Sequence, residues 1–183
     1  MTSIPHPPVD DVLASHEAVD VTAPSFEAFY RREMPGLVLL ARALSGSAYA
    51  DDAAQDAMLA AYRHWDQVQR FDSPVGWVRR VCANKAVSSV RRRTAEARAL
   101  LRVGPRPTSR EDLPDEVEEF WAQVRLLPRR QAQAVALFYL YGLSVAEVAA
   151  TLGCSVGSVK VHLSRGRAAL AARLGESDEG ELS

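Results

Sequence analysis

Cysteine is scarce in this chain. There are two in 183 residues, Cys82 and Cys154, far apart and with no CxxC pair or histidine at ligand spacing. That argues against a disulfide framework or a structural metal, and both read as buried or half-buried thiols in a reducing, cytoplasmic setting. Long apolar runs are missing as well, and the N-terminus is acidic rather than basic-then-apolar. Neither a membrane span, a signal peptide nor an anchor is expected. Alternating strand patterns are absent throughout, so the chain reads as all-α. None of the four histidines, His6, His16, His64 and His162, has a serine, cysteine or carboxylate partner at a recognisable motif spacing. No acidic cluster at metal spacing accompanies the basic segments. No cofactor or metal is expected, and an enzyme acting on nucleic acid is disfavoured.

Net charge is almost absent too, at −1, but that figure conceals a segregation. Residues 1–23 carry four acids and no Lys or Arg, and residues 24–104 carry thirteen bases against eight acids. Residues 105–127 turn acidic, with six acids against three bases. Residues 128–174 carry six bases against Glu147 alone, and 175–183 hold four acids and no base. Two basic blocks separated by an acidic stretch suggest two nucleic-acid contacts on one tether.

The clearest motif is Leu143–Leu174, LSVAEVAATLGCSVGSVKVHLSRGRAALAARL. Ser144 followed by Glu147 is a capping box, and Val145, Val148, Ala149 and Leu152 form one helical stripe. Gly153 ends that helix and Ser155 caps the next. The inward face of the second helix reads as Val156, Val159, Leu163 and Leu170. Its other face carries Ser158, Lys160, His162, Ser164, Arg165 and Arg167. This is a helix-turn-helix whose second helix is fit to enter a DNA major groove.

Earlier in the chain, residues 1–23 contain three prolines and no sustained period, and read as a disordered acidic extension. A helix is expected from Ser25, with Phe26, Phe29 and Tyr30 in one core cluster and Leu37, Leu40, Ala41 and Leu44 in another. Pro35 is placed to kink or divide it, and Gly46 to end it. A second helix is expected from about Asp51 to Trp65, with Ala54, Ala57, Met58, Ala61 and Trp65 inward. Periodicity alone makes its opposite side a solvated face. A loop from Asp66 to Pro74 holds Phe71.

The helix after that loop carries a second concentration of charge. Val78, Val81, Cys82, Ala86 and Val90 can face a core, while Trp77, Arg80, Asn84, Ser88 and Arg91 form a separate stripe. Between Arg79 and Arg102 there are eight bases and one acid, Glu96. Charges that hold phosphates beside an aromatic that offers a stacking surface suit single-stranded or melted DNA. Residues 95–116 gain Gly104, Pro105, Pro107 and Pro114 and read as a linker with some helix at its start. Val117, Phe120, Trp121 and Val124 mark the next helix. Leu127–Pro128 breaks it, and Ala134, Leu137, Phe138 and Tyr141 mark another, ended by Gly142.

Three blocks in this order resemble the sigma-70 family of bacterial RNA polymerase sigma factors, and more narrowly its small extracytoplasmic-function group. They are ADDAAQDAMLAAYRHW, SPVGWVRRVCANKAVSSVRRR and LPRRQAQAVALFYLYGLSVAEVAATLGCSVGSVKVHLSRGRAAL. The resemblance runs from about Ser25 to Leu174. It implies a non-catalytic subunit that binds core RNA polymerase and directs promoter-specific initiation at −35 and −10 elements. The implied fold is two small helical domains on a flexible linker: region 2 at 24–94, linker at 95–116, region 4 at 117–174 and an acidic tail at 175–183.

The resemblance also assigns roles to residues. It turns the solvated face of the second helix into a polymerase-binding face, with Asp52, Gln55, Asp56, Leu59 and Arg63 on the clamp helices. It gives the −10 element to Arg70, Phe71, Asp72, Trp77, Arg80, Asn84, Lys85 and Arg91. It gives the −35 groove to Lys160, Ser164 and Arg165, with Ser158 and Arg167 on phosphates. Core polymerase, promoter DNA and an anti-sigma factor are the implied partners, without membrane insertion. The chain departs from many relatives at Ser88, where Asp is common, and at Lys160, where Arg is common. A further departure is Ala53–Ala54, where larger apolar residues are common. The competing reading is a stand-alone helix-turn-helix transcription regulator with an N-terminal dimerisation or ligand domain. Such a domain has no need of the basic, aromatic stripe at Trp77–Arg93.

Overall fold

The computed structural model describes residues 25–100 and 114–180, with the backbone alone at 90–100, 115 and 176–180. The segments read as a disordered extension and as the centre of the linker lie outside the described residues.

Helix α1, Phe26–Ser45, begins where Ser25 Oγ accepts the Ala28 N–H at 3.2 Å. It runs through Pro35 as one helix instead of dividing there. Gly46, at φ 80°, turns the chain out while its N–H closes on the Arg42 carbonyl at 2.8 Å. A 3₁₀ turn, Ser47–Tyr49, leads into α2, Ala50–Arg63, with Asp51 and Asp52 in the first turn where the helix dipole favours acids. Helix α2 stops at Arg63, so Trp65, read as its inward-facing end, instead opens a short helix, α3, Trp65–Val68, the rest of which lies in the segment read as loop. Val68 is buried and anchors it. Helix α4, Pro74–Leu100, extends past residue 94 into the segment read as linker.

Helices α1, α2 and α4 pack three ways around Phe29, Leu37, Leu40, Leu44, Met58, Val78 and Cys82. Ala54, Ala57, Ala61 and Ala86 are fully buried between them. Alanine at these seams lets helix axes approach closely, so the bundle is built from short side chains. Phe29 belongs to this core as expected, whereas Tyr30 beside it is 37% exposed. Its position on α1 points off the buried stripe.

The second unit comprises α5, Asp115–Arg125; α6, Arg129–Tyr141; α7, Val145–Leu152; and α8, Val156–Gly180. Helix α8 therefore continues into the acidic segment read as a tail. Gly142 at φ 60° and Gly153 at φ 65° supply the left-handed residues that end α6 and α7. The capping box at the start of α7 is complete: Glu147 N–H reaches Ser144 Oγ at 3.2 Å and Ser144 N–H reaches Glu147 Oε2 at 2.8 Å. Val159, Leu163 and Leu170 of α8 are buried, but Val156 is 43% exposed. As the first residue of α8 it lies a turn ahead of Val159 and outside the ground that α6 and α7 cover. Gly166 is buried where α8 crosses α6; a Cβ there would stand 3.0 Å from Val135 Cγ2.

The two units are joined by a shared seam. Helix α1 lies against α5 and α6, and α4 lies against α7. Buried apolar residues of both units form one continuous cluster.

Candidate nucleic-acid and polymerase interfaces

The recognition helix presents its expected polar face. Lys160, Ser164, Arg165 and Arg167 are exposed on α8. Arg167 is pre-positioned: its guanidinium lies 5.2 Å from the Phe138 ring centre and 5.7 Å from that of Tyr139, and its Nε donates to Tyr139 Oη at 3.0 Å. Ser158 is bonded within the start of α8. It is half-buried, its N–H donates to Ser155 Oγ at 3.1 Å, and the two hydroxyls are 2.9 Å apart. Its side chain helps close the start of α8, which competes with a phosphate contact. His162 is half-buried.

The −10 set is split by the fold. Arg70, Phe71 and Asp72 are exposed on the loop before α4, with the Phe71 ring 6.2 Å from that of Trp77. They border a cleft of about 810 Å³ whose walls include Trp77 and Arg80 of α4 and Glu147, Ala150 and Thr151 of α7. Base-sized aromatic surface and cations thus share one concavity. Asn84, two turns along from Trp77, lies in the seam instead. Its Oδ1 accepts from Gln133 Nε2 at 2.9 Å and from the Arg129 guanidinium. Lys85 pairs with Asp56 of α2 at 3.0 Å, linking a residue read as DNA-binding to one read as polymerase-binding. Both partners are substantially exposed, so the pair is worth little stability. Ser88 is exposed nearby. Arg91 lies on α4, with its side chain outside the described residues.

Arg79 was not singled out from sequence, yet it is central to the seam. Its guanidinium sits 3.9 Å from the Tyr141 ring centre and 3.6 Å from Glu33 Oε2. Burial pushes the Tyr141 phenol up to about 12, against the pull of the Arg79 charge. Arg79 Nε and Arg129 Nε are buried without a hydrogen-bond partner among the described residues. Each such group costs about 1–3 kcal/mol. The seam therefore sets buried polar groups beside its apolar contacts.

On the far side, Asp52, Gln55, Asp56, Leu59 and Arg63 are all exposed on one face of α2. Ala53 and Ala54 are buried in the bundle, so the small residues there shape the core rather than this face. The face has an aromatic flank that sequence reasoning placed in the core or passed over. Phe26, Tyr30, Met58, Leu59 and Tyr62 border a shallow groove, with Tyr62 63% exposed and its ring 5.0 Å from that of Phe26. Helical spacing from Leu59 to Tyr62 was the available signal.

Residues 29–96 match the family model of sigma-70 region 2, and residues 118–170 match that of sigma-70 region 4. The chain belongs to the extracytoplasmic-function sigma factors of the sigma-70 family. The ECF RNA polymerase sigma factor SigM of Mycobacterium tuberculosis (strain H37Rv) is 36% identical over 173 residues, spanning 93% of this chain and 86% of SigM. The ECF sigma factor EcfG of Rhodopseudomonas palustris is 32% identical over 149 residues, 77% of this chain and 80% of EcfG. Among solved structures, the sigma factor RpoE in complex with the anti-sigma factor NepR from Bartonella quintana is similar. It has a TM-score of 0.64 and 25% identity, over 82% of this chain and 96% of that one. The all-α fold with a region 2 bundle and a region 4 helix-turn-helix is thus shared with this family. No helix of the described residues is long and apolar enough to cross a membrane.

Proposed function

We propose that this sigma factor binds core RNA polymerase through the exposed face of α2 and directs initiation at promoters read in two places. Helix α8 enters the −35 major groove with Lys160, Ser164 and Arg165, while Arg167 holds a phosphate. The Phe71–Trp77 cleft and the stripe along α4 take the opened −10 strand. An unstacked base gains an aromatic surface there, and the surrounding cations neutralise its backbone, so recognition also stabilises the melted state. The factor acts in the cytoplasm, supplies binding energy rather than catalysis, and is held by an anti-sigma protein when not in use.

The observation that carries this reading is the segregation of three exposed faces in one chain: acidic and aromatic on α2, cationic and aromatic at Arg70, Phe71 and Arg80 around the turn into α4, and cationic on α8. A stand-alone helix-turn-helix regulator needs only the last. Run-off transcription from a genomic library, with core polymerase and purified factor, tests the proposal. Discrete promoter-dependent transcripts and a stable complex with core are expected. Duplex binding by the factor alone, with neither transcripts nor core binding, would support the stand-alone regulator instead.

A further inference from the structure

The middle of the outward face of α8 is apolar. Val161 is 46% exposed and lies outside the buried cluster that takes Val159, Leu163 and Leu170. At 3.6 residues per turn those three buried positions define the inward seam, and Val161 falls on the side diametrically opposite. The centre of that outward side runs through Gly157, Val161, Ser164 and Ala168, all exposed. Lys160 and Arg167 stand along one edge of it and Arg165 along the other. Cations thus border a strip whose middle is a branched hydrocarbon. Folding gives no reason for valine there. A β-branched residue is a weaker helix former than alanine, and at a position outside the core, packing does not offset that. One turn earlier, Gly157 carries no side chain, and a Cβ built on it would meet only Ser155 Oγ, at 3.8 Å. The helix surface beside Val161 is therefore low enough for a close approach.

We propose that Val161 is a specificity-determining residue of the −35 contact, packing on the C5-methyl group of a thymine in the major groove. The inference rests on the promoter-reading function above and adds to it a base that no polar side chain of α8 selects. The thymine methyl is the apolar group on a base edge in that groove, so it is what a hydrocarbon at the centre of the face can recognise. Cytosine offers no methyl, and the purines present polar atoms, so the contact favours thymine over each of them. Valine suits the task because its side chain is stiff at χ1, and little rotamer freedom is lost when the contact forms. The cations on either edge draw the helix into the groove and bring its centre onto the bases. Val161 and Arg165 are one turn apart, about 6 Å along the axis, so the thymine lies within about two base pairs of the pair that Arg165 reads.

Deoxyuridine tests this, because it differs from thymidine only in lacking the C5-methyl. Holoenzyme is assembled from core polymerase and the full chain, and a promoter it uses is rebuilt with each −35 thymine of either strand replaced in turn. At subsaturating holoenzyme, replacement at one position should lower initiation about fourfold, the size expected when one buried methyl group is returned to water. Replacement at the other positions should change it little. Val161→Ala should lower initiation from the thymine promoter by a similar factor and show no further loss on deoxyuridine, because the two changes remove the same contact. Val161→Ile keeps the hydrocarbon and should keep the sensitivity. Indifference of the parent holoenzyme to deoxyuridine throughout the −35 element would overturn the proposal without need of any variant. So would a Val161→Ala holoenzyme that retains the full deoxyuridine effect. Either result leaves promoter-directed initiation standing. A chain that gives no promoter-dependent transcript with core, seen before any base is replaced, overturns the functional reading and this inference with it.

Discussion

Gln133 Nε2 donates to Asn84 Oδ1 at 2.9 Å, joining helices of the two domains across 49 positions of sequence. The bond explains why a fully buried glutamine is tolerated on the inner face of α6. A double-mutant cycle with Asn84→Ala and Gln133→Ala isolates it. Each single change should destabilise the chain in denaturant titrations, and the coupling between them should be about 1 kcal/mol. A coupling of zero would mean that these helices do not meet in solution.

The two thiols should differ sharply. Cys82 is fully buried, with Sγ 3.5 Å from the Leu37 carbonyl, and burial pushes its thiol up to about 12. Cys154 is half-buried in the turn of the helix-turn-helix. Titration with Ellman's reagent should modify Cys154 at neutral pH and Cys82 only on unfolding. Because the folded-state value of Cys82 lies above the ordinary value of 9.0, its contribution to stability is full below pH 9. It is then lost as pH rises toward 12. Cys82→Ala should reduce that alkaline loss.

Much of this was legible in the sequence because it depends on local spacing. Ser144 with Glu147, and Gly142 and Gly153 after their helices, are nearest-neighbour devices that need no tertiary information. The buried stripes of α2 and α8 followed from periodicity, apart from Trp65, which lies half-buried in α3, and Val156, both at helix ends where periodicity carries no knowledge of what lies opposite. The seam between domains was not legible. Nothing in the sequence marks Arg79, Arg129 or Gln133 as partners, and Asn84 reads as a strand contact, until α6 meets α4; 45 or more positions separate the members of each bonded pair. The aromatic flank of the α2 face was missed for a related reason. Tyr30 and Tyr62 sit on different helices, and their shared groove exists only once α1 packs on α2.

The capping box gives a prediction with a pH signature. Ser144→Ala should cost about 1 kcal/mol and loosen the start of α7. The bonds from Ser144 hold the Glu147 carboxyl below its ordinary value of 4.5. A depressed carboxyl contributes stability above the unfolded-state value, and that contribution disappears as pH falls through the folded-state value. Melting curves of parent and Ser144→Ala should therefore lie furthest apart above pH 5 and draw closer in acid without meeting, because the bond from the Glu147 N–H to the Ser144 hydroxyl is lost at every pH. Curves equally separated at every pH would mean that the Ser144 hydroxyl does not hold the carboxylate.

On the α2 face, Leu59→Asp should abolish co-elution with core polymerase while leaving the melting temperature within a degree or two, because Leu59 is 44% exposed and contributes little to the core. Tyr62→Ala should weaken core binding by about tenfold, as expected for an exposed aromatic anchor. If both variants bind core normally, the polymerase contacts a different face.

The two exposed arginines of α8 should separate base reading from phosphate holding. Arg165 is exposed on the face of α8 proposed to meet the groove, and a bidentate contact to a guanine edge is worth about 1–3 kcal/mol. Arg165→Ala should therefore cut −35-dependent initiation by tenfold or more and flatten the preference among −35 sequences, with core binding intact. Arg167 is held by Tyr139 and Phe138, in a pose suited to a fixed backbone contact. Arg167→Ala should weaken all promoters alike and lower the salt dependence of binding by about one phosphate contact. Tyr139→Phe removes only the hydrogen bond that aims the guanidinium, so it should reproduce part of the Arg167→Ala loss without changing sequence preference. A change of −35 preference in either Tyr139→Phe or Arg167→Ala would place Arg167 on a base instead.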